Sequence, residues 1–156
     1  MKAAFRLAAL LSAVLLAACA TKRAGANTPR LISAGKPASS SSMESVLLPP
    51  SNTTDGNLDT RWSSKFFDPQ WIMIDLGAPH PIAFIRLVWE NAHGREFEIQ
   101  LSDDAKHWKK VYYTADGKGG IQTITVHATA RYVRYFGTAR GTVFGHSLRE
   151  FEVYGN

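Results

Sequence analysis

The feature that most constrains this 156-residue chain is a side-chain period of two, repeated in short runs that turn residues cut off. Phe97, Ile99 and Leu101 alternate with Glu96, Glu98 and Gln100, which makes one face apolar and the other polar. Successive side chains of an extended backbone point to opposite sides, so this pattern predicts a half-buried strand. Similar runs rich in β-branched and aromatic residues cover Gln70 to Leu76, Ile82 to Trp89, Trp108 to Thr114, Ile121 to Val126, Arg131 to Phe136 and Leu148 to Tyr154. Gly, Pro, Asn or Asp punctuates the gaps. In the least one-sided run, Ile121, Thr123 and Thr125 oppose Gln122, Ile124 and Val126. With no helical period between the runs, the pattern predicts an all-β fold, an antiparallel sandwich of two sheets rather than an α/β domain.

The first residues read as an address. Lys2 and Arg6 precede an apolar run from Leu7 to Ala18, which suits the core of a signal peptide and is too short to span a bilayer. The run ends in Leu16-Ala17-Ala18-Cys19, which resembles a bacterial lipobox and makes residues 1–18 a lipoprotein signal peptide and Cys19 the lipidated mature terminus. An ordinary signal peptide with an incidental cysteine is the alternative. Two or three acyl chains hold a protein at a membrane stably, so the expected contact with the bilayer is the lipid anchor alone. The absence of aspartate after Cys19 is compatible with the outer membrane of a Gram-negative cell. Residues 19–38 are poor in large apolar side chains and read as a flexible linker, which leaves 39–156 as one domain.

Charge and chemistry narrow the functional classes. The formal net charge of +5 falls by two when Lys2 and Arg6 leave, a weak bias without the basic stripe of a nucleic-acid binder. Cys19 is the only cysteine, and the five histidines show no metal-ligand spacing. Ser147 lacks a nucleophile elbow, and Asp103-Asp104 lies in a turn. The expectation is a protein that is not an enzyme.

An ordered series of motifs then identifies a family. Asp55-Gly56-Asn57 is followed by Thr60-Arg61-Trp62, Gln70-Trp71-Ile72, Asp75-Leu76-Gly77, Trp89-Glu90, Phe97 to Ser102, Asp104, Trp108, Arg131 to Arg134, and Ser147 through Glu150-Phe151 to Gly155. From Ser39 onward the chain resembles the discoidin domain, the coagulation factor V/VIII C-terminal type, and within it carbohydrate-binding module family 32. The resemblance implies a jelly-roll sandwich of the galactose-binding-domain-like class and a non-catalytic role in holding carbohydrate. It also implies a structural calcium ion, with Asp55, Asn57, Thr60 and Glu150 supplying oxygens, partly from the backbone. Trp62, Trp71 and Trp108 are expected in the core, while Trp89, at the end of a strand, is open to either role.

In this family, loops at one end of the sandwich grip the ligand. Those loops here are Met43 to Pro50, Ser63 to Pro69, Glu90 to Arg95 and Arg140 to Ser147. Sugars call for an aromatic ring on their C–H face and charged groups on their hydroxyls. The residues expected to bind are therefore Glu44, His93, Arg95, Arg140, Phe144 and His146, with Glu90 read as a buried partner of an arginine. Where many relatives have Tyr-Gly-Tyr-Ser-Leu-Trp-Glu-Phe, this chain has Phe144 to Phe151 with His146 and Arg149 in place of aromatics, and Lys65 stands where relatives often carry an acid. These departures imply a neutral or acidic glycan. The alternative is an adhesion or scaffold domain that binds a protein or anionic lipid headgroup, with Val46-Leu47-Leu48 as an apolar tip or, equally, a first strand. A separately encoded envelope or glycan-active protein is a further expected partner.

Overall fold

A computed structural model describes residues 28–156. The signal peptide and Cys19 lie outside the described residues. Eight strands follow one another as β1 (Arg30–Leu31), β2 (Ala38–Ser40), β3 (Trp62–Ser63), β4 (Gln70–Trp89), β5 (Gly94–Ser102), β6 (Lys109–Thr114), β7 (Ile121–Arg140) and β8 (Ser147–Gly155), with a 3₁₀ turn at Pro50–Thr54. All pairings are antiparallel.

Two pairs of predicted strands are each continuous. β4 joins the runs at Gln70 and Ile82, and β7 joins those at Ile121 and Arg131. Their mutual register slips twice, between Asp75 and His80, where Leu76 to Pro79 oppose Arg131 alone, and between Ile82 and Phe84, where Val126 and His127 oppose Ala83 alone. Two residues facing one make a bulge, and a bulge kinks and twists its strand. His127 takes the strained side of this bend with φ of 50°. The first half of β4 and the second half of β7 thus lie in one sheet with β2, β5 and β6, while their other halves lie in the second sheet with β8, β1 and β3.

The core fills the space between these sheets. Ile72, Ile74, Leu76, Phe97, Ile99, Val133 and Tyr135 face Ile85, Leu87, Ile124, Leu148, Phe151 and Val153, and all are buried. The alternation read at Phe97, Ile99 and Leu101 is the inward face of β5, and of the Ile121 run only Ile124 is fully buried.

Two expectations need correction. The domain begins before Ser39: Arg30 and Leu31 pair with Gly155 and Tyr154, and buried Ser33 hydrogen-bonds the backbone of Phe151 and Val153. Residues 30–38 therefore belong to the sandwich and not to a flexible linker. The tryptophans also divide differently, because Trp62 and Trp89 are buried whereas Trp71 and Trp108 are half-buried on the outer face. Trp71 lies directly across from Phe136, and the Arg134 guanidinium covers the Trp108 ring at 3.9 Å.

Candidate functional site

The four loops named from the sequence meet at the end of the sandwich where β8 begins. Backbone bonds fix them there: Glu44 N–H donates to the Ser63 carbonyl, Glu90 N–H to that of Ser147, and Ser147 N–H to that of Ala92. Between them lies a cleft of about 270 Å³ that Glu44, Arg61, Phe66, Glu90, Asn91 and Phe144 line with their neighbours. Phe66 and Phe144 stand edge to face with centroids 6.0 Å apart, and both rings are exposed.

Glu90 brings a defined negative charge to this cleft. Burial would raise its carboxyl, but N–H bonds from Ala92 and Asn91 and the charges of Arg61 and Arg149 outweigh burial and hold it below the usual glutamate value. Arg61 Nε is buried with no acceptor among the described residues, which leaves it a donor to spare.

The expected binding residues fall into three groups. Glu44 and Phe144 share the cleft. His93 lines an adjoining trough, and Arg95 sits exposed at the start of β5 and lines neither. Arg140 and His146 stand behind the cleft instead. Arg140 donates to Asp68 at 3.2 Å and to the carbonyls of Val143 and Phe144, so it shapes the loop that carries Phe144.

His146 is fully buried, and this corrects its assignment to ligand contact. Its Nε2 lies 2.8 Å from Asp68 Oδ1 and its Nδ1 2.7 Å from the Tyr135 hydroxyl. Burial pushes the imidazole below its ordinary value, against the pull of Asp68, so the ring is neutral at neutral pH. A neutral ring beside a carboxylate must donate through Nε2, which assigns the Tyr135 O–H as donor to Nδ1. Burial would raise the Asp68 carboxyl, yet the hydrogen bonds of His146 and Arg140 hold it below the usual aspartate value. A Cβ on either Gly94 or Gly137 would overlap the Tyr135 hydroxyl, so the two glycines make room for this buried chain.

Phe66, Glu90 and Asn91 escaped the sequence-based choice of cleft residues. The adjacent Phe66 and Phe67 do break the alternation within a loop, which is a legible sign of exposed aromatics. Of the three cations behind the expectation of a neutral or acidic glycan, His146 is buried and Arg149 donates to the Leu58 carbonyl, whereas Lys65 borders a shallow depression with Glu44 and Phe66.

Near the cleft, the Asp55 turn meets β8. Asp55 accepts the Asn57 N–H and the Thr60 hydroxyl, each at 2.8 Å. Glu150 Oε1 is buried with no donor among the described residues, and burial, then the Asp55 charge, pushes its carboxyl up to about 7. Two carboxyls thus face one another here, one with an orphaned oxygen, while no group of three or more His, Cys, Asp or Glu side chains placed to hold a metal occurs among the described residues.

A family model for NedA-like, galactose-binding domains of the F5/8 type C group matches residues 52–135. The chain belongs to this family. Among solved structures, chitosan-binding module 1 of a chitosanase/glucanase from Paenibacillus sp. IK-5 is 43% identical over 81% of the chain and 99% of the module, with a TM-score of 0.78. Module 2 of that enzyme, solved in complex with chitotriose, is 39% identical over 80% and 99%, again with a TM-score of 0.78. A polysaccharide lyase 8 family protein, HylA of Enterococcus faecalis, is 33% identical over 64% of the chain, which spans only 8% of that much longer protein. In this F5/8 type C domain the matched segment takes in the Asp55 turn, the Phe66 loop and the Glu90 loop, while Phe144 and Glu150 lie beyond it.

Proposed function

We propose that this F5/8 type C domain is a non-catalytic carbohydrate-binding protein that holds a glucosamine-containing glycan at the cell envelope. One observation carries the reading: two carboxylates, Glu44 and Glu90, share a cleft with the exposed Phe66 and Phe144 rings. An ammonium substituent pairs with the acids through charge-assisted bonds, and an aromatic ring covers the apolar face of the sugar. The chitosan-binding relatives support this class of ligand, and the proposal replaces the neutral or acidic glycan expected from Lys65, His146 and Arg149.

Calorimetry with a glucosamine trimer, its N-acetylated form and a glucose trimer tests the proposal. The amine form binds tightest, and Glu44→Gln weakens it to the level of the others; equal binding of all three by the wild type would refute the reading.

Calcium at Asp55, Asn57, Thr60 and Glu150 and lipidation at Cys19 belong to the same proposal. The cation would neutralise the facing carboxylates and tie the first loop to β8, and the orphaned Glu150 oxygen supports it. The sequence Leu16-Ala17-Ala18-Cys19 supports the anchor, which mass spectrometry of the membrane fraction checks. A second reading, adhesion to a lipid surface, draws on Val46, Leu47 and Val143, each 80% exposed at the loop end. Flotation with anionic liposomes of a form beginning after Cys19 decides it, since retained binding requires these loop tips.

A further inference from the structure

The cleft has a neighbour of opposite charge. On the far side of the Glu90–Asn91 edge, which lines both, a trough of about 260 Å³ is bounded by Trp89, His93, Lys118, Gly119, Gly120 and Arg149. Each depression falls below the roughly 300–1,000 Å³ of ordinary ligand pockets, so each suits about one ring, and a chain of linked sugars would have to occupy both.

The trough is a shaped feature. Gly119 and Gly120 hold φ of +70° and +67°, a conformation that favours glycine, and a Cβ at Gly119 would come within 3.0 Å of the His93 ring. The Gly120 carbonyl accepts the Trp89 N–H at 2.9 Å, which ties this turn to the end of β4. The His93 ring is set in turn by the Asn91 carbonyl, 3.0 Å from Nδ1, and by its edge contact with Trp89.

Charge separates the two depressions. Glu44 and Glu90 outnumber the one guanidinium of Arg61 in the cleft, whereas Lys118 and Arg149 bound the trough against the single shared carboxylate of Glu90. Asp116 pairs with Lys118, and the Leu58 carbonyl takes one N–H of Arg149. The guanidinium has five N–H donors, so further bonds remain open to it.

We infer that the cleft and trough together form a two-sugar site for a mixed-charge glycan, an amino sugar in the cleft linked to a carboxylate-bearing sugar in the trough. The inference rests on the amino-sugar reading of the cleft and adds a second position with its own chemistry. An all-glucosamine chain would bring a second ammonium against Lys118 and Arg149. An alternating chain brings a carboxylate to them instead.

The test compares, by calorimetry, a tetrasaccharide of alternating free-amine glucosamine and glucuronic acid with a glucosamine tetramer. Wild type binds the alternating chain about tenfold tighter, equivalent to ~1.4 kcal/mol. Lys118→Glu cancels or reverses that ranking, and Glu44→Gln weakens both ligands. Preference of the wild type for the glucosamine tetramer, or a ranking unmoved by Lys118→Glu, overturns the inference while the cleft reading stands. Loss of effect from Glu44→Gln, with both ligands still bound, sinks the cleft reading itself.

Discussion

At the scale of single residues, ligand-facing groups and their supports have separate signatures. Replacing Glu44 by Gln removes one charge-assisted hydrogen bond, worth about 1.5–3 kcal/mol, so the affinity for a glucosamine oligomer should fall about ten- to hundredfold with the melting temperature unchanged. His146 should behave in the opposite way. Its folded pKa lies below that of the unfolded chain, so the unfolded state takes up more protons as pH falls through about 6.5, and the domain loses stability on acidification. Glu150, raised to about 7, contributes with the reverse sign over the same interval. Urea melts of wild type and His146→Phe at pH 7.5 and 5.5 separate the two. The acid-side loss attributable to His146 should disappear in the variant, even though the variant is less stable overall because Asp68 and Tyr135 lose a partner. An identical pH slope in both proteins would show that the imidazole is not buried neutral.

At the scale of elements, alternation exposed the strands better than it sorted their faces. Ile72, Ile74 and Leu76 occupy the even positions of β4 and are buried, and that parity should have sent Trp71 outward, whatever the general tendency of tryptophan to lie inside. The continuity of β4 and β7 was hidden because the turn residues Gly77-Ala78-Pro79 and the His127 bulge read as gaps between strands. β1 was hidden for another reason: two residues are too few to show any period. The loops of the site could be found from the family's motif order, but chain order cannot show that a loop histidine turns inward to Tyr135. The glycines of β5 and β7 give this scale its own prediction. Gly137→Ala forces a methyl onto Tyr135 and His146, an overpacking that costs about 1–3 kcal/mol and should appear as a lower urea midpoint.

At the scale of the whole molecule, the Asp55 turn and Glu150 join an early loop to the final strand. Calcium bound there stabilises only the folded chain, by about 2.7 kcal/mol at a hundredfold excess over its Kd. Chelation should therefore lower the melting temperature of wild type, and Glu150→Gln should abolish the difference; identical melts with calcium and with chelator would remove the ion from the account. The pairing of Arg30 with Gly155 bears on how the domain is presented, because it brings the incoming chain to the pole farthest from Ser147. With Cys19 acylated as proposed, the ten residues from Ala20 to Pro29 reach at most about 35 Å when fully stretched. Such a tether would attach at the back of the domain and leave the proposed sugar-binding mouth, at the other pole, unobstructed by its own anchor.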